Sequence, residues 1–564
     1  MSPPSSADPA RASARRRWGA RLLLVLAAVL LALVFGVTTA SVESSLGPHE
    51  ARYDVTTDDE IVVDLGPLGT LQIGSPLPLT LGVHVTVQEI PASVTELSQA
   101  KTLEALSGDL QSYLQFFSGP QATVQDVGRA LVVDALGRAG AALVVLVVAF
   151  TLLRALVGTV RWGELAARAA PHRREVVAAA VVAVLGASVL TSSVGQGDRP
   201  VVISAASPVF DGTPLEGARV TGRLGGVINT YGGQVIAELR KNNAFYAQAN
   251  TSLEVAWDER QAQIDDAASP AATSTPTPTL SRSSTADPST PSPTIPAGVD
   301  EADLVTVVVI SDLHCNVGMA PLIHTLVERA DANLVLDAGD TTLNGTTVEQ
   351  YCVTTFARAV PQGVELVTSQ GNHDSRETSK LYARAGATVL DGSVVTVDGL
   401  RILGDKDPNE TRVGAGGTAS AGTESAEEEG ARLAQTACDD SDGVDLLLIH
   451  TPAVGQDALD QGCVPAQISG HLHHRYGPDR VGLGIRYISS STAGATLGQP
   501  TVGPLHGVAE MTVLRWDPES RRFVDYQLVQ VRPDASADVS PRLRWPSATP
   551  VPAVPGAPDG RSPV

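Results

Sequence analysis

Five times between Leu304 and His473 a short apolar run of strand length stops just before a side chain that can ligate a cation. Leu304 to Ile310 ends in Asp312-Leu313-His314, Asn333 to Leu336 leads into Gly339-Asp340, and Val364 to Val367 runs into Gly371-Asn372-His373-Asp374. Asp445 to Ile449 continues directly into His450, and Ala466 to Ile468 precedes Gly470-His471-Leu472-His473. Buried strands that end in polar loops are how a parallel sheet presents chemistry along one edge, so each of these stretches reads as a strand end that puts a polar residue on a loop. Side chains two apart on an extended chain share a face. Asp312 is therefore expected to pair with His314, and His471 with His473, with Leu313 and Leu472 turned away.

Any one of these motifs is no more than a polar turn; their number and order carry the reading. In Gly371-Asn372-His373-Asp374 the glycine permits a tight turn, the asparagine oxygen and the histidine face one spot, and Asp374 is expected to hold the His373 imidazole in one tautomer. Asp337 and His474 adjoin the motifs but read as structural or solvated, and Gly404-Asp405-Lys406-Asp407 reads as a surface turn.

The ordered set, Asp-x-His, Gly-Asp, Gly-Asn-His-Asp, a lone histidine after a strand and Gly-His-x-His, resembles the calcineurin-like metallophosphoesterase family over about Asp303 to Val531. The resemblance implies an α/β two-sheet sandwich flanked by helices, with a dinuclear metal centre at the loop edge. Asp312, His314 and His473 would take one metal, Asn372, His450 and His471 the other, with Asp340 bridging and His373 beside the substrate phosphate. Mixed nitrogen and oxygen ligands suit manganese, iron or zinc better than calcium or magnesium. Two such ions about 3.5 to 4 Å apart would hold a hydroxide for in-line attack on phosphorus. His373, oriented by Asp374, would protonate the leaving oxygen. The local pattern agrees, with helices expected over Met319 to Ala330 and Val348 to Ala359 and β-rich stretches at Ser393 to Leu403 and Arg486 to Ser490. Convergence of the first two motifs favours Cys315–Cys352 and Cys438–Cys463 among the three pairings four cysteines allow, with free buried thiols as the alternative.

Taken from the N-terminus, the chain is built around membrane signals. Arg11, Arg15, Arg16, Arg17 and Arg21 precede an apolar run from Leu22 to Val42, Ala139 to Val160 is a second apolar run and Val176 to Val194 a third. A permanent anchor is preferred to a cleaved signal peptide because further spans follow. Arg161, Arg168, Arg173 and Arg174 between the last two runs place that loop and the N-terminal tail in the cytoplasm. Three transmembrane helices then leave the C-terminus outside, where disulfides are permitted.

The expected plan is a basic tail and first span (1–42), an extracytoplasmic α+β segment (43–137), two spans joined by a basic loop (138–194), a membrane-proximal segment (195–265), a Ser/Thr/Pro-rich linker (266–300), the catalytic domain (301–535) and a Pro-rich tail (536–564). In the first outside segment Ile61 to Val63 and Val83 to Val87 read as strands and Leu97 to Phe117 as helix. In the second, Val201 to Ser204 reads as strand and Gln234 to Ala247 as helix, with Gly222 to Gly226 and Gly232-Gly233 as turns. Ala267 to Ala297 lacks the apolar bulk for a core and reads as a leash reaching on the order of 90 to 100 Å. Gly414 to Gly430 reads as an insertion over the site.

These readings converge on a membrane-anchored extracytoplasmic phosphoesterase acting on a phosphomonoester or phosphodiester. The alternative is a membrane-tethered binding or signalling module that keeps the metals structurally. A net charge of −21 argues against a nucleic-acid partner, as does the lack of a basic or aromatic track.

Overall fold

The computed structural model describes residues 9–46, 49–88, 121–158, 160–162, 164, 206–211, 215–268, 301–346, 349–412, 417–496, 501 and 503–547. The helix expected over Leu97 to Phe117, the third apolar run, the strand Val201 to Ser204 and nearly all of the Ser/Thr/Pro-rich stretch lie outside these residues. The described residues form two compact units, one from residues 1–90 and 123–236 and one from residue 237 onward.

In the first unit helix α1 (Pro9–Thr38) leads into strands β1 (Ser41–Leu46), β2 (His49–Thr56), β3 (Glu60–Asp64), β4 (Thr70–Gly74) and β5 (Gly82–Val87). Helix α2 (Gln121–Val157) and the short strand β6 (Arg219–Val220) follow. The strands lie in the order β1-β2-β5-β3-β4-β6, with β6 joined to β4 through the pairs Leu71–Val220 and Gln72–Arg219. Segments 43–137 and 195–265, expected to be separate, therefore contribute strands to one sheet. Val127 of α2 packs with Ala51, Tyr53 and Val85, and the Ser41 amide donates to Asp134 at 3.0 Å. Helices α1 and α2 meet at small residues: a Cβ on Gly36 would lie 2.2 Å from the Ala135 carbonyl oxygen, so only glycine permits this approach.

Among the described residues one helical stretch, Val124–Val157, is long and apolar enough to cross a membrane. The apolar part of α1, Val25–Thr38, is shorter. The described helices thus supply one span by this measure where three were expected.

Helix α3 runs from Gly222 to Ala268 and absorbs the glycine clusters expected to form turns. Two glycine clusters cost helix propensity, yet the helix extends through both and far past Gln234 to Ala247, because packing outweighs intrinsic preference. Tyr246 is 5% exposed, and its hydroxyl oxygen lies within hydrogen-bond reach of Asn316 Oδ1 (2.9 Å) and the Gly503 carbonyl (3.0 Å). Arg260 donates to the Val539 carbonyl at 2.8 Å and Asp258 pairs with Arg329 at 2.6 Å. The helix preceding the linker is therefore docked on the domain that follows it, which corrects the expectation of a domain hanging free on a leash.

That domain is a two-sheet sandwich. From β7 (Val305–Ile310) the chain passes through α4 (Ala320–Arg329), β8 (Leu334–Asp337), α5 (Gln350–Ala359), β9 (Glu365–Thr368), α6 (Arg376–Ala385) and β10 (Thr388–Val389). The second half contributes β11 (Val395–Val397), β12 (Leu400–Leu403), the hairpin β13 (Asn409–Arg412) and β14 (Gly417–Ser420), α7 (Ala426–Asp439), β15 (Leu446–Leu448), α8 (Gln456–Gln461) and β16 (Ala466–Ser469). Strands β17 (Tyr476–Val481), β18 (Gly484–Ile488), β19 (Ala509–Asp517), β20 (Arg522–Val531), β21 (Ala537–Val539) and β22 (Leu543–Arg544) complete it.

One sheet has the order β10-β9-β8-β7-β19-β20-β21 with β22 beside β20, and the other β11-β12-β15-β16-β18-β17. Val307, Val309, Leu334, Leu336 and Val367 of the first face Ile402, Leu446, Leu448, Ile468 and Tyr487 of the second in one core. Runs rich in Val, Ile and Leu suit strands buried on both faces. Behind the second sheet, Leu433, Ala434 and Ala437 of α7 pack with Leu447, Ile449 and Leu459. Both disulfides, Cys315–Cys352 and Cys438–Cys463, take the favoured pairing, with Cα atoms 5.1 and 4.9 Å apart.

Candidate metal centre

Five of the seven ligand-type residues leave their strands through left-handed turns and not along extended chain. Asp312, His314, Asp340, His471 and His473 all have positive φ, from 41° to 75°. Two-residue alternation therefore does not aim Asp312 with His314 or His471 with His473, a correction to the extended-chain expectation. Aspartate and histidine tolerate this region better than branched residues, and such strain persists only where surrounding contacts hold it. Here the loops are laced together: the amides of Asp312, His314 and Cys315 donate to the carbonyls of Gly339, Asp340 and Thr341 at 2.8 to 2.9 Å. Gly371 lies so close to the second loop that a Cβ on it would sit 2.3 Å from both the Asp340 amide nitrogen and Oδ1.

The side chains form two groups that share one residue. Asp312, His314, Asp340 and His473 bring donor atoms within 4.8 Å of one another, and so do Asp340, His450 and His471. Asn372 Oδ1 joins the second group, 3.0 Å from His450 Nε2 and 2.9 Å from His471 Nδ1. Asp340 Oδ2 lies 3.1 Å from His450 Nε2 and 3.9 Å from His314 Nε2. Asp312, Asp340, Asn372 and His450 are buried, while His471 is exposed and His473 and His373 are half-buried, leaving the cluster open on one side. The fit to a cation pair is chemical. His314 Nε2 and His473 Nε2 approach to 2.9 Å with carboxylate oxygens beside them, a mixed nitrogen and oxygen donor set that suits a divalent cation.

Electrostatics agree. Burial, opposed by Asp340, lowers the His314 imidazole to about 3, so it stays neutral and able to ligate. Burial would raise Asp340, but the charge and hydrogen bond of His450, with His373 behind it, hold its carboxyl well below the usual range. His450 Nδ1 lies 2.7 Å from the Ala338 carbonyl; donating there fixes the ring so that Nε2 faces the cluster, where a cation would take the place of the Nε2 proton.

The His373 ring is held by a different partner from the one expected. Its Nδ1 lies 2.7 Å from the Leu343 carbonyl, whereas Asp374 accepts from the amides of Gly371, Asp340, Thr341 and Thr342 at 2.9 to 3.3 Å. A carboxylate ringed by four backbone donors organises two loops and does not orient the neighbouring imidazole, because both its oxygens are already engaged. Burial, reinforced by Asp340 and Asp337, raises Asp374 to about 6. Asp337 is likewise structural, accepting from the Gly339 amide and the hydroxyls of Thr341 and Thr368. His474 is exposed and folds onto the Leu472 carbonyl.

Other contributors were not anticipated. Glu349 accepts from the amides of Leu343, Asn344 and Thr346 and from the Thr346 hydroxyl, shaping the loop that presents the Leu343 carbonyl. Its signal was the Thr346-x-x-Glu349 spacing of a capping box. The Gly404-Asp405-Lys406-Asp407 turn is not at the surface: Asp407 is fully buried, its amide donating to the Gln370 carbonyl at 2.8 Å and its carboxylate accepting from the hydroxyl of Thr451.

Beside that turn, Glu429 on α7 is buried; desolvation, reinforced by Asp405 against Arg432, lifts its carboxyl to about 8. Above the ordinary value of 4.5 the unfolded chain releases a proton that the folded state retains, so this group's contribution to stability falls as pH rises from about 4.5 to about 8. Glu429→Gln is therefore expected to melt at a higher temperature than the parent at pH 8 and to show no gain at pH 4.5, read by thermal melts at the two pH values.

Residues 305–475 match the model of the family described as calcineurin-like phosphoesterase. Solved structures similar to the chain include an archaeal phosphodiesterase at 13% identity and a TM-score of 0.26, covering 40% of this chain and 100% of that one. The NAD nucleotidase NadN of Haemophilus influenzae is 14% identical with a TM-score of 0.25, over 42% of this chain and 49% of that one. A phosphatase of Mycoplasma pneumoniae is 10% identical with a TM-score of 0.27, over 41% and 94%. No curated protein matches the chain.

Proposed function

We propose that this chain, whose residues 305–475 form a calcineurin-like phosphoesterase domain, is a membrane-anchored extracytoplasmic hydrolase that uses two divalent cations to cleave a phosphomonoester or phosphodiester. The observation that carries the reading is the sharing of Asp340 between two donor groups, each completed by residues from other strand ends. Asp312, His314 and His473 would hold one cation and Asn372, His450 and His471 the other. Bound there, manganese, iron or zinc supplies the concentrated positive charge that a phosphoryl transfer needs.

The chain's own residues do the rest. With Nδ1 engaged on the Leu343 carbonyl, His373 is left with Nε2 as the atom that carries a proton to the leaving oxygen. Its ring stands edge-on to His314 at 5.0 Å, which keeps it beside the cation site without joining it. Asp374 keeps the Asp340 and Gly371 loops in register, so that Asp340 Oδ1 accepts the His373 amide at 2.8 Å.

The first unit supports the anchored reading. Strand β6 closes a sheet begun before α2, so residues 41–87 and 219–220 lie on one side of any membrane that α2 crosses. An even number of crossings is then needed between them, in line with the expectation from sequence of a span at Val176 to Val194. Its flanking arginines and the two disulfides favour a C-terminus outside the cytoplasm.

The full-length chain, purified in detergent with added manganese, is expected to hydrolyse an aryl phosphate or an aryl phosphodiester. Silence on both with metal bound would favour a binding module. A C-terminal reporter that works only in the cytoplasm is expected to stay silent in a bacterial host, and activity from it would overturn the orientation.

A further inference from the structure

We infer that the β13–β14 hairpin, which arrives with the low-complexity insertion, is a brace for the second cation site, and that Thr411 is the positioning residue that decides which end of the Asn372 amide faces the cation. The inference rests on the proposal that Asn372 is a ligand.

An amide's two ends have nearly the same shape, but only the oxygen ligates a metal; turned over, the NH2 group would point at the site and repel the cation. Something must select the orientation. Asn372 Nδ2 donates to Thr411 Oγ1 at 2.7 Å, and that oxygen lies 2.9 Å from Thr418 Oγ1 on the paired strand. When the Thr411 hydroxyl donates to Thr418, its lone pairs remain for the amide NH2. The chain of bonds then runs one way, from Asn372 through Thr411 to Thr418, and leaves Asn372 Oδ1 toward His450 and His471.

The backbone repeats the grip. The Thr411 amide donates to the Asn372 carbonyl at 2.7 Å, so one residue holds both the main chain and the side chain of the ligand. Arg412 closes the turn: Nη1 donates to the carbonyls of Asn372 (3.2 Å) and His373 (3.3 Å), and Nη2 to that of Asp374 (2.9 Å). Three successive carbonyls meet one guanidinium, whose charge Glu410 balances at 3.3 Å.

The test is manganese binding to the full-length protein in detergent, followed by calorimetry on the parent, Asn372→Ala, Thr411→Val and Thr411→Ser. Thr411→Val keeps the shape and removes the hydroxyl; it is expected to weaken the second manganese by about 10- to 100-fold while the first binds as in the parent, and Thr411→Ser is expected to bind both like the parent. If Asn372→Ala itself binds both ions normally, the ligand assignment fails. If Asn372→Ala loses the second ion and Thr411→Val does not, the brace is overturned while the metal site stands. Equal losses in Thr411→Ser and Thr411→Val also overturn it, since the hydroxyl is then not what acts.

Discussion

Replacing Asp340 with alanine is expected to remove metal and turnover together. Its carboxylate belongs to both donor groups, and it is 1% exposed, so no water substitutes for it without rearranging two loops. The substitution also strands its partners: His450 loses an oxygen 3.1 Å from Nε2, and the His373 amide loses its acceptor at 2.8 Å. With the shared negative charge gone, two cations held by the remaining residues repel each other across a site that is largely buried. Manganese content of the purified protein is expected to fall well below that of the parent, and hydrolysis of an aryl phosphate ester by on the order of 10³-fold or more. Asp340→Asn keeps the shape and one acceptor oxygen without the charge. It is expected to lose metal as well, which separates charge from packing.

His373→Ala gives the opposite pattern. The ring lies beside the cluster without entering either donor group, so metal content is expected to match that of the parent while kcat falls by about 10²- to 10⁴-fold, the range for loss of a general acid. The loss should shrink for an ester whose leaving group departs without a proton, such as a nitrophenyl ester, compared with an alkyl ester. An equal loss on both esters would assign His373 to structure and remove it from the proton path. Metal loss in this variant would place it among the ligands.

What could be read in advance follows from where the information lies. Strand ends were legible because β-branched runs such as Val305–Ile310 announce themselves locally and the cation-type residues follow at once. The helices Ala320–Arg329 and Gln350–Ala359 fell within one or two residues of expectation, and the cysteine pairing followed from the same convergence. The partners behind the ligands were not legible. The acceptor for His373 Nδ1 is a backbone carbonyl at Leu343, which has no side-chain signature, and Asp374 turned to backbone amides because four of them surround it. The left-handed turns at Asp312, His314 and His473 carry no glycine to mark them.

Long-range pairing hid the rest. The docking of Tyr246 on Asn316 joins residues on either side of a low-complexity stretch, and β6 joins a sheet started before α2. Neither contact leaves a periodic trace. Glycines at 225, 226, 232 and 233 read as turns because local propensity was the only evidence, and the packed helix Gly222–Ala268 overrides it.

Seven side chains, Asp312, His314, Asp340, Asn372, His450, His471 and His473, are proposed to close around a pair of cations. Anomalous diffraction from crystals of the manganese-loaded protein, recorded at the metal edge, tests it most directly. Two peaks are expected, one bounded by Asp312, His314 and His473, the other by Asn372, His450 and His471, with Asp340 between them. A manganese-saturated crystal with no peak within coordination reach of Asp340 would contradict it.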